Sequence, residues 1–276
     1  MKQSKEEEWF IENVGEGEKR SYLITEVLCK TESKYQQIEI FKLANQGITL
    51  VLDGHARVFE IDEFIYHEAI TYPALSRHPN AKSVLVIGDG DGGIIRELLK
   101  NENLNRIDWV EIDEKVINVC ERHLPSFPCH YRNDERVNLI IADGLKYLEK
   151  CNFKYDIIYM SVTAKGDSCY SEPLHEKSIY TLLKRVLKSD GIATLSLDEF
   201  SPNSINKYFE RIQNVKQWFR EVYPFYIGLP SFGTNWGFVL GGDVERQDVG
   251  IVETDNLRFY CREEDNFMFN LPKYLK

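Results

Sequence analysis

Two carboxylates stand inside a glycine-rich segment, which makes that segment the first candidate for chemistry. Residues 88–93 read GDGDGG, with Asp89 and Asp91 between the glycines. The apolar run 84–87 before the segment predicts a buried strand, and the amphipathic run after it predicts a helix. Glycine suits such a turn because it adopts positive φ and because a ligand can approach a backbone without a Cβ. The segment therefore predicts a ligand-binding loop.

The two acids restrict the charge of the expected ligand. Loops that bind pyrophosphate place a helix N-terminus against the anion, and a carboxylate in the loop would repel it. Asp89 and Asp91 therefore favour a ligand with positive charge, and a nucleoside that carries a sulfonium and an amine, an S-adenosyl sulfonium compound, fits this requirement. The alternative is that one of the two merely caps the helix that begins near Gly92.

Further polar residues follow the ends of other predicted strands. Glu111 ends the run 106–110, at the distance beyond a glycine loop where nucleotide-binding folds place an acid for ribose hydroxyls. Asp143 follows a run at 137–142, and Ser161 follows one at 155–160. Ligands of open α/β sheets bind beyond the carboxyl ends of the strands, so these side chains should converge on one pocket.

The elements that must position these residues alternate between strand and helix. Helices are predicted at 63–75, from near 92 to 99, at 115–123 and from 145 onward. Their alternation with the strands predicts a parallel, doubly wound sheet. Residues 1–62 are β-rich, with turn signals at 45–47 and 53–54. We therefore expect a small antiparallel β domain at 1–62 and an α/β domain at 63–276. Within the latter, later elements are predicted as a helix at 178–188, a strand at 191–197, a helix at 205–219 and a strand at 237–240.

Composition limits the class of protein. The chain has 276 residues, a net charge of −10 and 43% hydrophobic residues. An acidic chain is a poor partner for nucleic acid. No apolar stretch is long enough to span a membrane and the N-terminus is acidic, so we expect a cytoplasmic protein without a membrane partner. Six cysteines show no CxxC pair, which predicts reduced thiols and no metal site.

Several segments resemble one family. The runs LDGHARVFEIDEFIYHE, SVLVIGDGDGGIIRELL, VEIDEKVI and DERVNLIIADGLKYL are similar to the spermidine synthase family of polyamine aminopropyltransferases, as are YQQIEIF and FNLPKYL near the ends. The resemblance implies a Rossmann-like core of the methyltransferase type and a homodimer or homotetramer. It also implies transfer of an aminopropyl group from decarboxylated S-adenosylmethionine to a polyamine such as putrescine, leaving methylthioadenosine.

The resemblance also implies roles for single residues. Glu111 matches the acid that binds the ribose hydroxyls, Asp143 the acid that holds the adenine amino group, and Asp91 the acid that meets the aminopropyl amine. The residues expected to bind the nucleoside substrate are Gln36, His67, Gly88, Asp89, Gly90, Asp91, Glu111, Asp143, Gly144 and Ser161. Those expected to act in catalysis are Asp91, Asp167 and Tyr66. For Tyr66 and His67 the alternative is a helix face packed on the sheet.

The acceptor side departs from the family pattern. Where the family has DSSDP, with a base and an amine-binding acid, this chain has SVTAK at 161–165. The YPSG motif is replaced by SFGT at 231–234, which removes an aromatic hydroxyl. Asp167 or Glu172, in a slightly longer loop, could supply a carboxylate, and so could Asp89, where the family has glycine.

Arg57 leaves open a different transfer reaction. It stands where the family has glutamine, and its guanidinium could bind the carboxylate of intact S-adenosylmethionine or of an amino-acid acceptor. The chain would then transfer a methyl or aminocarboxypropyl group. Alternatively, Arg57 pairs with Glu60 or Asp62. A third possibility is a non-catalytic paralogue that binds nucleoside as a regulatory or partner subunit.

Overall fold

The described part of the chain folds around two β-sheets. The computed structural model describes residues 7–15, 17–124, 131–162, 177–200, 205–243 and 256–275. The first sheet is antiparallel, with its five strands in sequence order. Its strands are β1 (Glu8–Gly15), β2 (Glu18–Glu32), β3 (Gln37–Leu43), β4 (Gly47–Leu52) and β5 (His55–Phe59).

Tight turns connect the short strands of the first sheet where the sequence predicts them. Asn45 and Asp53 have φ of 63° and 49°, and Gly47 and Gly54 have φ of 77° and 75°. Asparagine, aspartate and glycine tolerate this left-handed region better than other residues, so these positions can reverse the chain at little cost. Both predicted turns are confirmed.

The second sheet has seven strands in the order β11-β12-β10-β9-β6-β7-β8. Its strands are β6 (Ser83–Gly88), β7 (Arg106–Glu111), β8 (Val137–Ile141), β9 (Tyr155–Ser161), β10 (Leu187–Phe200), β11 (Glu221–Leu229) and β12 (Thr234–Gly242). β10, β9, β6, β7 and β8 pair in parallel, whereas β12 pairs antiparallel with β10 and β11. The α/β fold class with a small N-terminal antiparallel sheet is confirmed.

Helices pack on this sheet between its strands. They are α1 (Glu63–Arg77), α2 (Gly93–Leu99), α3 (Glu114–His123), α4 (Gly144–Lys150), α5 (Lys177–Val186), α6 (Ile205–Lys216) and α7 (Arg262–Phe269). Within the described ranges, no helix combines the length and apolar character needed to cross a bilayer.

Several details of the C-terminal half differ from the sequence prediction. The helix predicted at 205–219 ends at Lys216, and the strand predicted at 237–240 extends over Thr234–Gly242. The helix predicted at 178–188 ends at Val186, and the strand predicted at 191–197 begins at Leu187, which pairs with Tyr155 of β9. β11 is a strand that we did not predict. It lies at the edge of the sheet, where Pro224 is tolerated because an edge strand can lack one backbone donor.

The two sheets share buried side chains. Phe59 of β5 contacts Phe232 edge-on, with ring centroids 4.9 Å apart, in the same apolar cluster as Trp236. Ile38 of the first sheet packs in a cluster with Val116 of α3. The first sheet ends at residue 59 and α1 begins at residue 63, which supports our proposal that residues 1–62 and 63–276 form two domains packed on one another.

Helix α1, which carries two predicted site residues, is held by a buried acid. Glu68 is 1% exposed and accepts hydrogen bonds from the backbone N–H groups of Arg258, Phe259 and Tyr260, at 2.8 to 2.9 Å. A buried carboxylate requires such donors, because its desolvation is otherwise costly. The C-terminal segment is thus tied to the helix next to Tyr66 and His67.

Candidate active site

One cavity of about 190 Å³ opens at the carboxyl ends of the parallel strands. Its lining combines the glycine loop, the strand ends and residues of the first sheet. The predicted site residues that line it are Gln36, Tyr66, His67, Gly88, Asp89, Gly90, Asp91, Glu111, Asp143, Gly144 and Ser161. Asp167 and Glu172 lie outside the described residues. The structure therefore brings every other predicted site residue to one place.

The two acids of the glycine loop both cap α2. Asp89, with φ of 68°, accepts hydrogen bonds from the N–H groups of Ile94 and Ile95, and Asp91 Oδ1 accepts one from Gly93 at 2.9 Å. Burial and the nearby Asp91 carboxylate raise the pKa of Asp89 well above its ordinary value. Capping and cavity lining are therefore compatible here, although the Asp89 carboxylate is engaged with the helix.

His67 lies between two carboxylates. Its Nδ1 is 2.6 Å from Glu63 Oε2 and its Nε2 is 3.2 Å from Asp91 Oδ1. Burial opposes protonation, but Asp91 and Glu63 outweigh it and raise the pKa of His67 to about 10. Arg96 binds both oxygens of Glu63, at 2.8 and 2.9 Å. The imidazole is therefore a cation that donates from both nitrogens and fixes the Asp91 carboxylate.

The same group has a spacing that a metal ion could bridge. The nearest ligand atoms of His67, Asp89 and Asp91 lie within 4.8 Å of one another. A metal ligand must be a neutral imidazole, however, and both nitrogens of His67 already donate to carboxylates. The contacts of these residues are those of an ion-pair network.

Glu111 is a buried acid with a raised pKa. Its Oε1 accepts a hydrogen bond from Asp113 N at 2.9 Å. Burial is the largest influence and, together with the nearby Asp113 charge, it raises the pKa of Glu111 to about 7. Gly90 packs closely against this carboxylate, since a Cβ at Gly90 would lie 3.3 Å from Glu111 Oε2 and 2.9 Å from Val116 Cγ1.

This pKa gives a first prediction for nucleoside binding. The family resemblance implies that Glu111 binds the ribose hydroxyls. On that expectation the hydroxyls donate to the ionised carboxylate, so binding of methylthioadenosine should favour ionised Glu111. Ionisation is lost as the pH falls through about 7, and we expect the affinity to fall about tenfold between pH 8 and pH 6. Calorimetric titration across this range measures the effect. Glu111→Gln should bind more weakly and with a flat profile; an unchanged slope in this variant would assign the titration to another group.

Asp143 is the N-cap residue of α4 and lies two positions beyond the end of β8. Its Oδ1 accepts hydrogen bonds from Leu145 N at 2.9 Å and Lys146 N at 3.2 Å. This cap holds one oxygen in a fixed position while the residue lines the cavity.

A hydroxyl pair occupies the side of the cavity where the family pattern has an acid. Tyr66 Oη lies 2.9 Å from Ser161 Oγ, and the Tyr66 ring meets the Trp236 ring edge-on at 5.6 Å. Burial raises the pKa of Tyr66, so its phenol is neutral at physiological pH. Thr163, Ala164 and Lys165 lie outside the described residues.

Several cavity residues escaped the sequence analysis as site residues. Glu63 is four positions before His67 on α1, a spacing that places two side chains on one helix face and could have identified it. Asp62 fixes the loop before β12 by accepting a hydrogen bond from Ser231 N at 2.9 Å. Phe59, Phe232 and Trp236 form an aromatic wall that no local pattern indicates. Arg57, which the sequence already indicated as a candidate anchor for a carboxylate, is half-buried and lines the same cavity.

Two family models match the chain. Residues 63–248 match the spermine/spermidine synthase domain, and residues 8–69 match the spermidine synthase tetramerisation domain. The chain belongs to the spermidine synthase family. The match to the tetramerisation domain supports formation of an oligomer.

Individual members of the spermidine synthase family resemble the chain over nearly its full length. A polyamine aminopropyltransferase of Methanocaldococcus jannaschii is 35% identical over 97% of this chain and 94% of its own. The thermospermine synthase ACAULIS5 of Arabidopsis thaliana is 34% identical over 97% of this chain and 79% of its own. A spermidine synthase crystallised with the transition-state analogue AdoDATO has a TM-score of 0.91 at 25% identity, covering 99% and 95% of the two chains. The protein is thus an enzyme of the polyamine aminopropyltransferase family.

Proposed function

We propose that the protein transfers an aminopropyl group from decarboxylated S-adenosylmethionine to a polyamine such as putrescine, leaving methylthioadenosine. The observation that carries this proposal is the convergence of Asp91, Glu111 and Asp143 on one cavity at the ends of parallel strands. Such a site suits an adenosine with a cationic tail, because each polar end of that ligand meets an acid. The likeness to a spermidine synthase crystallised with AdoDATO supports the same donor.

Each end of the donor has a proposed partner. Glu111 and Gln36 bind the ribose, and Asp143 accepts a hydrogen bond from the adenine amino group. Asp91 binds the ammonium of the aminopropyl tail beside His67. Gly88, Gly90 and Gly144 let the backbone approach the ligand. Asp89 and Ser161 border the tail.

The reaction is a displacement at the carbon next to the sulfonium. The lone pair of a neutral amine nitrogen forms the new C–N bond, the C–S bond breaks, and sulfur keeps its electron pair as a thioether. The nitrogen then loses a proton to a carboxylate or to water. A positioned base raises the reaction rate by a factor of about 10² to 10⁴, and orientation of the reactants raises the rate by a further large factor.

The base is the part of this reaction that departs from the family pattern. Tyr66 is a neutral phenol that is hydrogen-bonded to Ser161. Its proposed role is to orient the amine rather than to take its proton. Asp167 stays our prediction for the carboxylate that receives the proton. Asp89 is the alternative carboxylate, but its two helix N–H donors favour a structural role.

Arg57 supports a second candidate function. It lines the same cavity as Asp91, and its guanidinium could bind the carboxylate of intact S-adenosylmethionine. Methyl or aminocarboxypropyl transfer would follow. The acids around the cavity favour the decarboxylated donor, since Asp91 would repel a carboxylate on the same tail.

The oligomer is proposed to be a homodimer or homotetramer in the cytoplasm. Trp9, Ile11 and Val27 of the first sheet are 47%, 53% and 41% exposed, although they are large apolar side chains. They belong to the segment that matches the tetramerisation domain. Exposed apolar residues of this kind favour contact with a second copy of the chain.

Product analysis tests the proposed function. The purified protein is incubated with decarboxylated S-adenosylmethionine and with putrescine or spermidine, and methylthioadenosine is measured by liquid chromatography. We expect methylthioadenosine together with an equal amount of an amine extended by one aminopropyl group. A parallel incubation with intact S-adenosylmethionine should yield none. Methylthioadenosine from the intact donor alone would establish aminocarboxypropyl transfer, and S-adenosylhomocysteine from that donor would establish methyl transfer. Tight nucleoside binding without any of these products would indicate a non-catalytic paralogue.

A further inference from the structure

Asp113 is a buried carboxylate beside the cavity that takes no part in the reaction described above. It is 2% exposed, is the N-cap residue of α3, and is not among the residues that line the cavity. Its Oδ2 accepts hydrogen bonds from Ser33 Oγ at 2.6 Å and from Gln36 Nε2 at 3.0 Å, and its Oδ1 accepts one from Lys115 N at 3.1 Å. The carboxylate therefore joins the loop of the first sheet to the second sheet.

The loop that carries Gln36 is fixed by further contacts. Ser33 Oγ accepts hydrogen bonds from the N–H groups of Tyr35 and Gln36, at 3.0 and 3.2 Å. Lys115 Nζ donates to the carbonyl oxygen of Glu32 at 2.6 Å. These contacts leave the Gln36 side chain little freedom to move away from Asp113.

The chemistry of a carboxylate decides which way the Gln36 amide faces. An ionised carboxylate only accepts hydrogen bonds, so the amide NH₂ must be the group that contacts Asp113. The carbonyl oxygen of Gln36 is then the polar atom left for a ligand in the cavity that Gln36 lines. Glu111, two residues before Asp113, is also an acceptor.

We propose that Asp113 is a positioning residue that holds the Gln36 amide with its carbonyl oxygen toward the ribose. Gln36 and Glu111 then offer two acceptors to the two ribose hydroxyls, and the site selects a nucleoside with a free diol. A ribose that lacks one hydroxyl would leave an acceptor unpaired, and a phosphorylated hydroxyl would meet Glu111. This inference rests on the proposed nucleoside site.

A double-mutant cycle tests whether Asp113 acts through Gln36. Methylthioadenosine binding is measured by calorimetry for the wild type, Gln36→Ala, Asp113→Asn and the double variant. Asparagine keeps the helix cap, but with its oxygen on Lys115 N its NH₂ faces Gln36 and turns the Gln36 amide over. We expect each single variant to lose about tenfold in affinity, and the double variant to lose no more than about twentyfold.

Asp53→Asn is the matched control. Asp53 Oδ1 accepts a hydrogen bond from Gln37 N at 2.8 Å, so it supports the same segment without touching the Gln36 amide. We expect its affinity to stay within about twofold of the wild type. Two results would overturn the proposal. One is a loss of affinity of about a hundredfold in the double variant, which is the product of the two single losses. The other is a loss of affinity in Asp53→Asn as large as that in Asp113→Asn, because Asp113 would then act on stability alone.

A second measurement separates this proposal from the proposed function. In the ligand-free protein, the side-chain amide protons of Gln36 should exchange slowly with water, and faster in Asp113→Asn, by nuclear magnetic resonance with labelled glutamine. Absence of methylthioadenosine binding to the wild type would reject the proposed function, and the amide exchange would then decide the role of Asp113. Equal exchange in both proteins would overturn that role.

Discussion

Replacing Asp91 by asparagine is expected to weaken binding of decarboxylated S-adenosylmethionine about a hundredfold, which corresponds to about 3 kcal/mol. The variant keeps an oxygen that can accept the hydrogen bond from Gly93 N, so the loop should hold its conformation. It removes the negative charge that we propose faces the donor ammonium, and loss of one partner of a partly buried ion pair typically has an effect of this size. Calorimetry at pH 8 measures it.

Methylthioadenosine provides the control, because it has the same nucleoside and no amine. Its affinity for Asp91→Asn should remain within about threefold of the wild type. Asp134→Asn is a matched variant, since Asp134 pairs with Arg136 and does not line the cavity. Equal losses for both ligands would show that Asp91 supports the loop rather than the aminopropyl tail.

Gly88→Ala is expected to lower the free energy of unfolding by about 3 to 5 kcal/mol, more than any other variant proposed here. Gly88 has φ of 86°, which a residue with a Cβ rarely adopts. The added Cβ would also lie 2.5 Å from the backbone oxygen of Ser161 on the neighbouring strand. Backbone cannot move aside as a flexible side chain can, so β6 and β9 would have to separate where the cavity begins. Urea denaturation gives the free energy of unfolding.

Gly54→Ala separates the two causes of that loss. Gly54 has a similar φ of 75°, but nothing lies within 4 Å of a Cβ placed there. This variant should lose only the conformational part, about 1 kcal/mol. If both variants lost the same amount, the close contact between Gly88 and Ser161 would contribute nothing.

The elements that carry the site were predictable because their signals are local. The strand, glycine turn and helix at 83–99 follow from neighbouring residues, and the acids at strand ends follow from the way parallel strands share one edge. The alternative role of Asp89 and Asp91, as caps of the following helix, was also predictable from neighbouring residues, since a carboxylate near a helix start can cap that helix. In the structure both residues cap the helix and line the cavity.

What the sequence did not reveal depends on contacts between distant residues. Asp113 meets Ser33 and Gln36, which precede it by 80 and 77 positions. Arg96 reaches Glu63 across 33 positions and thereby fixes His67. Such pairings are set by how the sheets pack, and no periodicity within one segment encodes them. β11 was missed for a similar reason, because an edge strand that contains proline lacks a clear alternating pattern.

The central claim is that the acidic cavity selects an adenosine whose tail is cationic and has no carboxylate. Parallel calorimetric titrations of the wild-type protein with decarboxylated and intact S-adenosylmethionine test it most directly. We predict that the decarboxylated compound binds at least about tenfold more tightly, because Asp91 attracts its ammonium and repels a carboxylate on the same tail. Tighter binding of the intact compound would contradict the claim and would point to Arg57 as the anchor of the donor.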